Sequence, residues 1–325
     1  MLEFLARLFT WDMLDTWAAA TAAVAAAACA VPGVFLVLRK QSLLGDALSH
    51  TALLGVVGAY LLASMAERSG WLPAGTYMGA RQILLMLGAV VVGLLTAWLA
   101  EALTWFGRID RTVSLAVLFT TAFAAGLLLL RAGADAVHID PDCVLFGEVE
   151  LAVLDTIPGT PIPRPLVIAA IALVLNSAFI AIWFQPLRTA AFDPEFAESV
   201  GFKTRRLHLA QITLTAVTLV AAFESVGSIL AIAMLVLPAA TARFLTNQLT
   251  GMIGWSIGLA CAAAVVGHAA SFTLPPLIFG PLGFEAIEDS GTAGAMTLAA
   301  GMAFVAALLW GRRGGAGFWL RVEGT

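Results

Sequence analysis

The chain has 325 residues, of which 61% are hydrophobic and 12% are charged, and its formal net charge is −4. A soluble domain carries about twice this share of charged residues, so the composition excludes an ordinary soluble protein and indicates a polytopic membrane protein. The acidic balance argues against a nucleic-acid partner, and the first ten residues lack the pattern of a cleaved signal peptide.

Apolar segments long enough to cross a bilayer, which takes about 20 residues, recur along the whole chain. In chain order they are 17–38, 47–66, 82–106, 113–131, 165–185, 207–222, 226–244, 250–272 and 292–311. The sixth and seventh come from one run that is too long for a single span and is interrupted at Glu224 and Gly227. We therefore predict an all-α protein with eight or nine transmembrane helices, in one transmembrane domain over residues 1–325.

Basic residues near the ends of these spans predict their orientation, because cytoplasmic loops are enriched in Lys and Arg. They are Arg39, Lys40, Arg108, Arg111, Arg188, Lys203, Arg205, Arg206, Arg312 and Arg313. The loop 273–291 has no Lys or Arg. Alternation then places segment 187–206 and the C-terminus in the cytoplasm, and nine spans would place the N-terminus outside.

The second span opens with "SLLGDALSH", in which Asp46 and His50 are four residues apart. If the helix has begun by residue 46, the two side chains share one face and can converge on one ion. Carboxylate oxygen and imidazole nitrogen suit first-row divalent metals. Two ligands are too few for a tight site, but a second copy across a two-fold axis would complete a set of four. Alternatively, Asp46 caps the helix and His50 bonds to a backbone carbonyl.

Polar residues cluster between the fourth and fifth spans, in a stretch predicted to lie outside or to dip in from outside. They are His138, Asp140, Asp142, Cys143, Glu148 and Glu150. The cluster either attracts cations or is a solvated loop with ordinary turn chemistry at Asp140-Pro141. In the later spans, Glu224 is a candidate for a transport role, because intramembrane acids are commonly functional. It could instead bond to backbone amides freed near Gly227.

A short surface helix is predicted in "FDPEFAESVGF", residues 192–202. Its defining residues are Asp193, Pro194, Glu195, Phe196, Val200 and Gly201. Asp193 suits the N-cap, Pro194 the first helical position and Gly201 the stop. Phe196 and Val200, four apart, form one apolar face. The helix either rests on lipid headgroups or docks a cytosolic partner.

For three further polar residues within the spans, we expect a role in packing and not in transport. His268 and Ser271 lie near the predicted outer end of one span and are expected to be packed and hydrogen-bonded. His208 begins another span beside Arg205 and Arg206, and is expected to lie at the membrane interface.

Three stretches together resemble the permease subunits of the ABC-3 family. They are "LRKQSLLGDALSH", "FDPEFAESVGF" and "FESVGSILAIAMLVLPAATARFLT". The resemblance extends over roughly residues 15–312, and "HIDPDCVLFGEVELAVLD" is more similar to the manganese, iron and zinc branch than to the zinc-only branch. It implies a permease dimer in a bacterial inner membrane, two cytoplasmic ATPase subunits and an external metal-binding protein. It also implies that 192–202 is the coupling helix and that Asp46 and His50 lie at the dimer axis.

The function expected from this resemblance is the membrane subunit of an ATP-driven importer of manganese, zinc or ferrous iron. The metal ion is the cargo, and no permanently bound cofactor is expected. The chain has no GxxxxGK[ST] phosphate loop and no HExxH motif, so ATP hydrolysis is assigned to a separate subunit and an enzyme is not expected. One alternative is a proton-coupled secondary transporter that uses Glu224 and Asp46. Another is an importer of a metal chelate, which the paired ligands disfavour.

Overall fold

The computed structural model describes residues 12–69, 76–133, 149–157, 159–279 and 290–310. Within them the regular secondary structure is helical, apart from one isolated bridge between Thr156 and Pro163. In chain order the helices are α1 (Met13–Leu38), α2 (Leu43–Arg68), α3 (Thr76–Gly107), α4 (Arg111–Gly133), α5 (Val149–Ala152), α6 (Arg164–Ile182), α7 (Phe184–Phe192), α8 (Pro194–Ser199), α9 (Thr204–Leu245), α10 (Leu249–Phe279) and α11 (Thr292–Trp310).

Nine helical segments in the described ranges are long and apolar enough to cross a membrane. They are Met13–Leu38, Leu43–Glu67, Leu84–Gly107, Thr112–Arg131, Arg164–Ile182, Thr204–Phe223, Ser225–Leu245, Leu249–Leu277 and Thr292–Trp310. The all-α, polytopic fold predicted from the sequence is confirmed, with nine candidate spans in the described part of the chain.

Helix α9 is interrupted at the position that the sequence indicated. A straight helix of its 42 residues would be about 63 Å long, roughly twice the hydrocarbon thickness of a bilayer. Gly227 has φ 77° and ψ 165°, a backbone conformation that is essentially restricted to glycine. The glycine therefore divides α9 into two spans, as predicted.

The described residues group into two compact units. The first unit comprises Met1–Lys40, Asp142–Thr204 and Ala221–Thr325. At its centre is α1, in which every residue from Ala25 to Leu36 is buried and which packs against α6 and α10. Small side chains let these helices approach closely: a Cβ atom at Gly33 would lie 1.8 Å from the carbonyl oxygen of Leu235.

The second unit comprises Gln41–Pro141 and Arg205–Val220. In it, α2 packs against both α3 and α4. Helices α2 and α3 approach closely at Gly55 and Gly88, where a Cβ atom on Gly55 would lie 2.4 Å from the Gly88 carbonyl oxygen. Nearer the start of α2, Leu48 lies against Gly93. The order of these contacts makes α2 and α3 antiparallel neighbours.

Candidate functional site

Asp46 and His50 lie on one face of α2, as their spacing predicted. The helix begins at Leu43, so both residues are helical and Asp46 lies in the first turn. The Oδ1 atom of Asp46 is 3.5 Å from Nε2 of His50, and the two side chains are 41% and 34% exposed. The pair is thus preformed within one chain and open to its surroundings.

The alternative assignment of this pair, a helix cap and a carbonyl-bonded imidazole, is wrong. The N-cap position is Ser42, and Asp46 is inside the helix. The Nε2 atom of His50 faces Asp46, while its buried Nδ1 atom has no hydrogen-bond partner among the described residues. Among the described residues, no backbone carbonyl therefore accepts a hydrogen bond from Nδ1 of His50.

Two aromatic rings of α4 hold the imidazole of His50 in place. The ring stacks on Phe119 with centroids 5.4 Å apart and planes 20° from parallel. It also makes an edge contact with Phe123 at 5.2 Å and 72°. Each such contact contributes about 0.5–1.5 kcal/mol beyond the burial of apolar area. Packing rather than hydrogen bonding therefore orients the ring.

The spacing of the pair fits two ligands of one ion. Two atoms about 2.1 Å from a common metal in tetrahedral geometry are about 3.4 Å apart, and the observed separation is 3.5 Å. No group of three or more His, Cys, Asp or Glu side chains that could hold a metal ion occurs among the described residues. In the described part of the chain, this pair thus offers two candidate ligands for one ion.

The predicted surface helix is present as α8. The Asp193 carboxylate accepts a hydrogen bond from the Phe196 N–H at 2.9 Å, and Pro194 occupies the first turn. Gly201 has φ 92°, a left-handed conformation that suits glycine. Phe196 and Val200 are 56% and 55% exposed. The helix thus presents an apolar surface, defined here by Phe196 and Val200.

Helix α8 is supported from both sides. It packs against α7, a helix that the sequence analysis missed because the predicted span 165–185 ran across its start. After α8, the hydroxyl of Thr204 donates to the carboxylate of Glu198. Because Thr204 begins α9, this bond ties α8 to the first turn of a transmembrane helix.

Several predicted site residues are not placed by the structure. His138, Asp140 and Asp142 lie outside the described residues, as does Cys143. The backbone of Glu224 is helical, but its side chain lies outside what the structure describes.

His268 and Ser271 are packed and hydrogen-bonded, which confirms the expectation for them. The Nδ1 atom of His268 and the Oγ atom of Ser271 each lie 3.2 Å from the hydroxyl of Thr292. That hydroxyl also donates to the carboxylate of Glu150, and Nε2 of His268 lies 3.8 Å from Oδ1 of Asp15. These five residues, here the His268 network, join α1, α5, α10 and α11.

A second histidine–carboxylate pair in the second unit was missed by the sequence analysis. Nε2 of His208, at the start of α9, lies 3.8 Å from Oε2 of Glu101 on α3. His208 is buried within the protein, and its expected depth at the membrane interface stays a prediction. The sequence feature that could have indicated this pair is Glu101 itself, an acid inside the apolar run 82–106.

Comparison with known proteins indicates what such a chain does. The sequence model of the ABC 3 transport family matches residues 12–282. The manganese transport system membrane protein MntD of Bacillus subtilis is 35% identical over 257 residues, which cover 78% of this chain and 82% of MntD. The zinc transport system membrane protein TroD of Treponema pallidum is 35% identical over 219 residues, 67% of this chain and 56% of TroD. The solved structure of PsaBC from Streptococcus pneumoniae in complex with Fab has the same fold, with TM-score 0.71, 24% identity and 99% coverage of both chains.

Proposed function

The chain belongs to the ABC 3 transport family, and on this premise we propose that it is the membrane-spanning permease subunit of an ATP-driven importer of manganese, zinc or ferrous iron. The names of MntD and TroD support manganese and zinc as cargo. The proposed assembly contains two permease chains, either two copies or a copy and a close paralogue. Cytoplasmic ATPase subunits and an external metal-binding protein complete it in a bacterial inner membrane.

The observation that carries this proposal is the Asp46–His50 pair. Its ligand atoms lie 3.5 Å apart on a membrane helix, a spacing that suits one divalent ion. A two-fold axis between permease chains would bring two such pairs together as two carboxylates and two imidazoles. The two carboxylates would then balance the charge of the ion.

The proposed site suits a transporter because it can release its ion. A metal-binding histidine usually donates its second ring N–H to a partner, and removal of such partners costs about 10- to 100-fold in metal affinity. Nδ1 of His50 has no hydrogen-bond partner among the described residues. The ring is therefore oriented by Phe119 and Phe123 without the polar support that strengthens permanent metal sites.

The ligand set does not choose among the three metals. Carboxylate and imidazole suit manganese, while intrinsic affinity rises from manganese through iron to zinc. Selection among them is therefore assigned to the external binding protein and to the geometry of the assembled site. A released ion would continue towards the predicted cytoplasmic ends of the helices.

Helix α8 is the proposed coupling helix. Its apolar surface, Phe196 and Val200, would insert into a groove of the ATPase. The cap at Asp193 makes the helix rigid, and the Glu198–Thr204 bond connects it to α9. Movement of the ATPase would thereby reach a transmembrane helix.

The test is metal uptake into proteoliposomes that contain the permease with its co-expressed ATPase and the metal-loaded binding protein. We expect uptake of at least one of Mn²⁺, Zn²⁺ and Fe²⁺. This uptake should require ATP on the side of the membrane opposite the binding protein, and a protonophore should not abolish it. Uptake that a proton gradient drives without ATP would contradict the proposal and favour a secondary transporter. Transport of a chelate but of no free ion would favour a chelate importer.

A variant pair tests the coupling assignment in the same preparation. Phe196→Asp should release the ATPase or abolish ATP-driven uptake, because a charge would be buried in the groove without a partner. Leu154→Asp is the matched control, since Leu154 is similarly exposed, at 61% against 56% for Phe196, and lies in the stretch predicted outside. If the Phe196→Asp variant still co-purifies with the ATPase and takes up metal normally, α8 is not the coupling helix.

A further inference from the structure

The first half of α9 carries a buried polar seam. It consists of His208, Gln211, Thr215 and Thr218, all of which are buried. Their spacing of three and four residues places them on one face of the helix. Thr215 and Thr218 donate to carbonyl oxygens of their own helix. The seam is thus a row of polar side chains on a helix face that is buried in the protein.

Glu101 places a carboxylate beside the start of this seam. Its Oε2 atom is 3.8 Å from Nε2 of His208, and the side chains are 23% and 8% exposed. Two ligands that each lie about 2.1 Å from one ion can be at most about 4.2 Å apart. The imidazole nitrogen and the carboxylate oxygen are therefore close enough to share a divalent cation without a change of backbone.

Gln211 points to a ligand in the same place. It is 3% exposed, and neither its amide nitrogen nor its amide oxygen has a hydrogen-bond partner among the described residues. Leaving a buried polar group unsatisfied costs about 1–3 kcal/mol, and such groups in native proteins usually bind a water or an ion. Gln211 lies one turn beyond His208, so its amide oxygen can reach the same small volume.

The position of this seam relative to Asp46 follows from helix register. Leu48 of α2 lies against Gly93 of α3, and the helices are antiparallel. At 1.5 Å per residue, Glu101 lies about 12 Å beyond Gly93, while Asp46 lies about 3 Å from Leu48 in the same direction. Glu101 is therefore about 9 Å further along the bundle than Asp46, towards the predicted cytoplasmic end.

We propose that Glu101, His208 and Gln211 form a second, weaker binding station for the divalent cation on its way out of the membrane. This inference rests on the proposed function and deepens it. The station supplies a carboxylate oxygen, an imidazole nitrogen and an amide oxygen, and water completes the coordination of the ion. It binds more weakly than the site at Asp46 because it carries one negative charge instead of two. Each permease chain contributes one complete station.

Mn²⁺ alone is the probe for this station. The complete permease–ATPase complex in lipid nanodiscs is titrated with Mn²⁺, and free Mn²⁺ is measured by its EPR signal. We expect a tight class of one ion per two permease chains and a weaker class of one ion per chain. The variant Glu101→Gln with His208→Gln should lose the weaker class and keep the tight one. Asp46→Asn should lose the tight class and keep the weaker one.

The outcomes separate the two proposals. If the weaker class is absent from the wild-type complex, or persists in the double variant, the second station is wrong while the site at Asp46 stands. If Asp46→Asn leaves the tight class unchanged, the proposed transit site is wrong. Gln211→Leu, which conserves volume, keeps the test decisive if the double variant does not fold. It should weaken the second class several-fold, and wild-type affinity would overturn the inference.

Discussion

Each of the two units contains a histidine–carboxylate pair with a similar nitrogen–oxygen distance, but the two pairs differ in exposure and in their neighbours. In the second unit, His50 is 3.5 Å from Asp46 and both side chains are partly exposed. In the first unit, His268 is 3.8 Å from Asp15, but the histidine side chain is only 2% exposed. His268 also contacts Thr292, whose hydroxyl is shared with Ser271 and Glu150. His50 has aromatic neighbours instead.

This contrast shows that the distance between an imidazole and a carboxylate does not decide their role. A metal ligand needs an accessible nitrogen lone pair and incomplete coordination. The Asp46–His50 pair has both. The His268 network joins four helices, so we expect it to hold the first unit together.

The largest expected effect that separates the pairs is on uptake. Asp46→Asn keeps the shape of the side chain but removes one negative charge per chain and two per dimer. Uptake should fall by more than about 100-fold, because loss of even an outer partner of a metal ligand costs about 10- to 100-fold in affinity. His50→Gln should have the same effect. The measurement is ATP-driven uptake of radioactive Mn²⁺ into proteoliposomes.

Asp110→Asn is the control, since Asp110 caps α4 through the Thr112 N–H and lies outside both pairs. It should transport normally. Normal uptake by the combined Asp46→Asn, His50→Gln variant would refute the transit site.

The second prediction concerns the His268 network, for which we expect an effect on stability and not on uptake. His268→Ala removes a buried ring and leaves Thr292 and Asp15 with unmet polar contacts, so the free energy of unfolding should fall by about 1–3 kcal/mol. Uptake per folded transporter should stay close to wild type. Thermal unfolding of the purified complex, followed by transport at matched protein content, measures both. A stable His268→Ala complex that cannot transport would place the network on the ion path.

The third prediction concerns the aromatic support of His50. Phe119→Leu removes the stacked ring, and the loss of about 0.5–1.5 kcal/mol should weaken metal affinity by about 2- to 10-fold. Phe304→Leu is the matched control, because Phe304 packs edge to face on Phe244 at 5.7 Å in the first unit. Equal effects of the two substitutions on metal affinity would show that Phe119 has only a general packing role.

Local features of the chain were predictable from sequence, because they depend on spacing within one element. Apolar length predicted eight or nine spans, and Gly227 marked the break in α9. Capping residues predicted α8, and an i, i+4 spacing predicted that Asp46 and His50 meet. Each of these follows from helix geometry alone.

Long-range features were not predictable, because helices that are apolar on every side carry no signal for which faces meet. The Glu101–His208 pair joins α3 to α9, and the His268 network joins four helices. Helix α7 was missed for a different reason, since the predicted span 165–185 ran across its start, although Pro186 in its first turn was an available signal.

The most direct test is the pulsed EPR spectrum of Mn²⁺ bound to the complete permease–ATPase complex at one ion per two permease chains. A coordinated imidazole gives nitrogen modulation that water and carboxylate do not. We expect strong nitrogen modulation in the wild-type complex, its loss in His50→Gln and its retention in His268→Gln. Unchanged modulation in His50→Gln would show that another histidine binds the ion and would refute the transit site at Asp46 and His50.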